Sequence, residues 1–200
     1  MAERKYEEML NIRTTGLREW REETPYHRYE ATPYKALDEL FKVYKFHKDD
    51  ELVDFGCGRG RVSFYIHNKF EIPVTGVEVH DQTFDEALDN KRSYRYVAND
   101  IEAPIRLNFA LAEQFDIEET DTVFYFFNPF SVDIFKQVVK NILKSVEAYE
   151  RTVDIILYYP TGSYKRFMET TPFTLMNRVR VPNAQDKKEK FLVYRLTAVE

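Results

Sequence analysis

The chain has 200 residues, 44% of them apolar and 16% aromatic, and 34 acidic against 29 basic side chains leave a formal net charge of −5. This is the composition of one globular domain with a sizeable core; it excludes a disordered chain and a protein-wide electrostatic grip on nucleic acid, while a local basic patch remains open. The single cysteine, Cys57, excludes an intramolecular disulfide, and with no membrane-length apolar run and no signal-peptide pattern a cytoplasmic protein is expected.

Residues 1–50 carry charge and many aromatics, among them Tyr6, Trp20, Tyr26, Tyr29, Tyr34, Phe41, Tyr44 and Phe46. Their pattern predicts a helix near 3–13, an irregular stretch to Glu30, and a helix from Pro33 to about Phe46 with Thr32 as N-cap. From Glu51 strands and helices alternate. The expected elements are a strand Glu51–Phe55, a helix Arg61–Phe70, a strand Val74–Val79 and a helix opened by Asp81. A third strand falls within Ile105–Ala112, and a fourth, Thr122–Phe127, is continuously apolar and so buried on both faces. A helix Val132–Ala148 follows, with Phe135, Val138, Val139, Ile142 and Val146 on one face, then a strand Val153–Tyr159 and a short helix Tyr164–Glu169. Two last strands, Phe173–Val181 and Phe191–Val199, joined by the polar link 182–190, read as an antiparallel pair. Alternation implies right-handed crossovers and a mostly parallel sheet, in which ligands bind at the carboxyl ends of the strands.

Only six glycines occur, and Gly56, Gly58 and Gly60 fall within five residues, after an apolar strand carrying Asp54 and before an apolar-periodic helix. Without a Cβ the turn can use positive φ and bring backbone N–H groups close to a nucleotide-like ligand. Asp54-Phe55-Gly56-Cys57-Gly58-Arg59-Gly60 resembles the first motif of class I S-adenosylmethionine-dependent methyltransferases, an acid followed by G-x-G-x-G. The order of elements over residues 33–200 resembles that family too. The resemblance implies an α/β, three-layer Rossmann-like methyltransferase fold, with a mostly parallel seven-stranded sheet and a C-terminal antiparallel β-hairpin. Residues 1–32 would be an N-terminal helical and aromatic arm, and 33–200 the S-adenosylmethionine-binding domain.

The resemblance also assigns roles. Gly56, Cys57, Gly58 and Gly60 would pass under the cofactor, Asp54 would pair with its α-amino group, and Glu78, which ends the second strand, would accept from both ribose hydroxyls. Charge-assisted bonds of this type contribute about 1.5–3 kcal/mol each. Many relatives hold the adenine amino group with an acid where this chain has Leu111, so adenine contact passes to backbone groups, Glu113 or Gln114. Asn128-Pro129-Phe130, after the fourth strand, partly resembles the N/D-P-P-F/Y motif of amino-group methyltransferases and makes these three residues the candidate catalytic set, although one proline is missing. The plain alternative is a strand-to-helix turn with Pro129 as breaker and Ser131 as N-cap.

Methyl transfer needs mainly positioning of the acceptor, and no general base stands out, which favours a neutral nitrogen. RNA, protein and small-molecule acceptors all remain open. A nicotinamide-dependent oxidoreductase needs G-x-G-x-x-G/A, and Arg61 occupies the last position. A non-catalytic S-adenosylmethionine-binding protein that uses the aromatic arm for interaction is the other alternative. Residues 26–34 would form a lid over the site or pack against the sheet. Lys136, Lys140 and Lys144 read as a solvated helix face, and histidines 27, 47, 67 and 80 lack metal-ligand spacing.

Overall fold

A computed structural model describes residues 2–16, 25–27, 30–184 and 186–198. Trp20, Arg28, Tyr29 and Val199, which figure in the sequence reading, lie outside the described residues. Helix α1 (Ala2–Leu10) ends where Asn11 turns left-handed at φ 52°, earlier than the expected residue 13. Leu10 and Ile12 are nevertheless buried and join the core beside α2 (Tyr34–Val43).

Helix α2 is shorter than predicted and is not capped by Thr32. Pro33 takes the N-cap position, while Thr32 Oγ1 pairs with Tyr125 Oη at 2.8 Å. The Glu3 carboxylate accepts from the Tyr34 N–H instead, at 3.1 Å. A long-range partner has thus displaced the local cap.

The alternating region runs β1 (Leu52–Phe55), α3 (Arg61–Phe70), β2 (Val74–Glu78), α4 (Asp81–Tyr94), β3 (Ile105–Phe109), a 3₁₀ turn Ala112–Gln114, β4 (Val123–Phe126), α5 (Val132–Ala148), β5 (Val153–Tyr158), α6 (Gly162–Met168), β6 (Thr174–Arg180) and β7 (Lys190–Leu196). One seven-stranded sheet has the order β3-β2-β1-β4-β5-β7-β6. The first five strands are parallel; β7 lies antiparallel between β5 and β6.

Period-two alternation divides the core. Tyr125 and Ile156 face the layer containing α1, α2 and α3, whereas Phe124, Phe126, Ile155 and Leu157 face α5 and α6. Helix α5 buries Phe135, Val138, Val139 and Ile142, as its periodicity requires, and leaves Lys140 and Lys144 exposed. Asp154 on β5 accepts both prongs of the Arg195 guanidinium from β7 at 2.8 Å each, which ties the antiparallel strand to the parallel sheet. No helix among the described residues is long and apolar enough to cross a membrane.

Candidate active site

The carboxyl ends of β1 to β5 meet along one edge, and the glycine turn after β1 lies at its centre. Gly56, Gly58 and Gly60 have φ of 72°, 57° and 86°. A Cβ at Gly56 would come within 2.5 Å of Pro129 Cβ, and one at Gly60 within 2.4 Å of the Phe64 ring. Glycine is therefore required by both conformation and contact. The Gly56 and Cys57 N–H groups donate to the Val77 carbonyl at 2.9 and 3.0 Å, which fixes the turn to β2. Cys57 packs over Gly76, and burial raises its thiol pKa far above the range of a reactive thiolate.

Two carboxyl groups flank the turn. Asp54 is 2% exposed and accepts from Ser63 Oγ at 2.7 Å. Burial pushes its pKa up to about 7; the Ser63 bond opposes this and the Glu78 charge adds to it. Glu78 accepts from the N–H groups of Gly58, Val79 and His80, each at 2.9 Å. Burial raises its pKa also, against those three bonds. A carboxylate has about four acceptor sites, so Glu78 keeps capacity for a further donor. His80 caps α4, its Nδ1 accepting from the Thr83 N–H at 3.3 Å.

Asn128-Pro129-Phe130 leaves β4 directly above Gly56. Asn128 is left-handed at φ 41°, and its buried Oδ1 has no hydrogen-bond partner among the described residues. Phe130 is fully buried, and its carbonyl accepts from Tyr164 Oη at 2.6 Å. Ser131 stands at the N-cap of α5 without a side-chain cap bond.

Residues 25–27 are laid across this loop. The Ser131 N–H donates to the Pro25 carbonyl at 2.6 Å, the His27 N–H to the Pro129 carbonyl at 2.8 Å, and Tyr26 bridges Phe130. Tyr26 Oη donates to Glu113 Oε2 at 2.6 Å and accepts from the Ala112 N–H at 3.3 Å. His27 Nδ1 lies 2.7 Å from the Asn128 carbonyl. A carbonyl only accepts, so Nδ1 carries a hydrogen, and Nε2 is the ring nitrogen not engaged by this carbonyl.

These elements enclose a crevice with three lobes. The first, about 40 Å³, lies between Glu78, Ala110, Ala112, Tyr26 and Phe130. The second, about 20 Å³, lies between Asp54, Cys57, Arg61 and Thr32. The third, about 480 Å³, extends from Asn128 past Tyr158 and Tyr159 to Glu189. Gly56 borders the first and second, His27 the first and third, and Glu30 and Phe127 all three. The crevice thus brings together Asp54, Gly56, Cys57, Glu78 and Asn128-Pro129-Phe130. Gly58 joins them through its bond to Glu78, Gly60 buttresses α3, and Glu113 meets the crevice through Tyr26.

Several participants were not selected from sequence. The Arg61 guanidinium is buried and donates to Thr14 Oγ1 at 2.6 Å and to the Thr32 carbonyl at 3.3 Å; it pairs with Glu3 and Glu7 and sits over the Tyr34 ring. It therefore points towards the N-terminal segment and does not obstruct the packing of α3 on the sheet. Tyr158, Tyr159 and Glu189 also enter the crevice, and no local motif marks them; Glu30 belongs to the segment 26–34 expected to lie over the site or pack against the sheet.

No family model matches the chain. A protein-lysine N-methyltransferase of Saccharolobus islandicus is 34% identical over 67 residues, 33% of this chain and 42% of that protein, so the chain spans less than half of that relative's length. Among solved structures, an RNA methyltransferase from Salinibacter ruber in complex with S-adenosyl-L-homocysteine superposes with a TM-score of 0.56 at 17% identity, covering 86% of this chain and 95% of that one. A putative RNA methyltransferase from Pyrococcus horikoshii gives 0.57 at 15% identity, covering 100% and 97%. Geranyl diphosphate C-methyltransferase from Streptomyces coelicolor gives 0.54 at 14% identity, covering 83% and 77%. With its strand order, its inserted antiparallel β7 and the glycine turn after β1, the chain has the fold of the class I S-adenosylmethionine-dependent methyltransferases.

Proposed function

We propose that the protein binds S-adenosylmethionine and methylates an amino nitrogen, with residues 33–200 as the catalytic domain and the segment before them as an arm across its crevice. One observation carries this reading: buried acids at the ends of two adjacent strands flank a glycine turn that faces an asparagine loop. The lysine-directed relative supports a nitrogen acceptor.

The donors and acceptors of these residues fit the cofactor, and because the first and second lobes hold only about 40 and 20 Å³, its entry requires residues 25–27 to lift from the crevice. Asp54, in the second lobe, would receive the α-amino group. Glu78, in the first lobe, would accept from the ribose. The Ala112 N–H and the Glu113 carboxylate offer one donor and one acceptor, the pair an adenine edge requires; the Tyr26 hydroxyl engages both. Adenine would therefore replace the Tyr26 hydroxyl at these two groups. When bound, the cofactor supplies an electrophilic methyl carbon on a positively charged sulfur. Glu30 and Phe127, common to all three lobes, would face that charge, and Asn128 would orient the nitrogen.

A ligand at 100 times its dissociation constant stabilises by about 2.7 kcal/mol, roughly 5–10 °C in melting temperature for a chain of this size. S-adenosylhomocysteine should produce this shift and NAD should not. The opposite result would establish the nicotinamide alternative. Labelled-methyl transfer into fractionated cell extract then separates a methyltransferase from a protein that only binds the cofactor.

A further inference from the structure

We infer that the third lobe is the acceptor pocket and that it takes a primary alkylammonium group of the kind a lysine side chain carries; this rests on the methyltransferase reading above. Four features support the assignment: charge, aromatic walls, a buried asparagine oxygen without a donor and a histidine on the wall.

Among the described residues the lobe is lined by two carboxylates, Glu30 and Glu189, and by no lysine or arginine. Tyr158 Oη donates to Glu189 Oε1 at 2.9 Å, which holds that carboxylate in place, and Tyr159 Oη bonds to Asp186 at the rim. The negative field is felt by the tyrosines themselves. Burial raises the Tyr158 pKa first, followed by its bond to Glu189 and the charges of Glu189 and Glu30. Such a field attracts a cation and repels a phosphate backbone.

The rings of Phe127 and Tyr158 meet edge to face, 4.7 Å between centroids, and Tyr159 stands 6.4 Å from Phe127. Aromatic faces beside carboxylates suit an ammonium on an aliphatic stem: the rings cover the methylenes and attract the charge. The cavity of about 480 Å³ has room for that stem and for a methylated product.

The independent observation is Asn128. Asn128 lines this lobe, and its buried Oδ1 receives no donor among the described residues. A buried acceptor without a donor is costly, and an amine N–H supplies one. His27 borders this lobe and the first, and its Nε2 is the ring nitrogen not engaged by the Asn128 carbonyl. The ammonium gives one proton to this nitrogen. The freed amine then forms a bond to the methyl carbon as the carbon–sulfur bond breaks, the electron pair staying on sulfur. Two cations thus become a methylammonium, a neutral thioether and one released proton.

The test is calorimetric and uses the full chain. S-adenosylhomocysteine is titrated first, and its failure to bind would remove the methyltransferase reading without touching the pocket. Nα-acetyl-lysine amide is then titrated against its uncharged norleucine analogue, with putrescine and a short single-stranded RNA as further arms. The lysine probe should bind at least tenfold more tightly than the norleucine analogue. Glu189→Gln should erase most of that margin while leaving S-adenosylhomocysteine affinity within twofold. Tyr159→Leu, which changes the wall at a half-buried position on the edge of the core, should weaken the lysine probe at least threefold. Putrescine binding as tightly as the lysine probe would make the source a free amine; weaker binding would make it a polypeptide. Equal affinity for the norleucine analogue, indifference to both substitutions, or competition by the RNA would overturn the assignment.

Discussion

Asp54 allows the sharpest test, because stability and binding pull on it in opposite directions. The residue is 2% exposed, and burial pushes its pKa up to about 7 from an ordinary value of 3.8. The folded protein therefore holds a proton that the unfolded chain has already lost. Stability from the neutral carboxyl is fully present below the ordinary value and is lost as pH rises through about 7. At about 1.4 kcal/mol per pH unit over roughly three units, the loss approaches about 4 kcal/mol by pH 8. In a domain of this size that is roughly 8–16 °C of melting temperature. Asp54→Asn keeps the shape and leaves an amide oxygen to accept from Ser63, but cannot ionise. Its advantage over wild type should grow from near zero at pH 4 to that magnitude at pH 8, measured by denaturant unfolding of both proteins across the range. Asp121, raised to about 6 by burial, and His67, lowered by burial, titrate in both proteins and cancel in the difference. The same substitution removes the partner proposed for the cofactor's ammonium, so S-adenosylhomocysteine should bind at least tenfold more weakly. Parallel pH curves for the two proteins would refute the buried-acid argument.

Glu78→Gln should weaken S-adenosylhomocysteine by about 1.5–3 kcal/mol in calorimetry, the value of a lost charge-assisted bond to the ribose. Truncation to Ala would confuse that result, because it strands three backbone N–H groups. Tyr26→Phe should raise cofactor affinity three- to tenfold by freeing the Ala112 N–H and Glu113, whereas a loss of affinity would mean that the hydroxyl holds the ligand. Gly60→Ala should cost at least 2 kcal/mol in unfolding experiments, because its positive φ and the Phe64 contact act together. Asn128→Ala should lower kcat at least tenfold with cofactor affinity nearly unchanged, once an acceptor is in hand. Wild-type turnover in the folded variant would leave Asn128 a turn residue.

What the sequence determined by itself was what short-range chemistry dictates. Hydrophobic periodicity located the alternating strands and helices. Three glycines in five residues demanded a turn of positive φ after β1, and the acid in β1 and the acid ending β2 followed from their place in that pattern. The helix ends were less legible: α1 stops at Asn11, and α2 begins one residue late because Thr32 is held by Tyr125. Packing alone decided that β7 enters between β5 and β6, and that Arg61 turns towards α1 to clasp Glu3, Glu7 and Thr14. Tertiary structure also carried residues 25–27 onto the Asn128 loop, about a hundred positions away, and set Tyr26 against Glu113 and His27 against the Asn128 carbonyl. The acidic aromatic lobe draws on Glu30, Phe127, Tyr158 and Glu189, four segments with no common motif. A strand or a glycine turn is specified by neighbours a few residues apart, and its signal lies in the local pattern. A pocket wall is specified by side chains that meet only after the sheet has formed, and nothing in the residues beside each of them records the others.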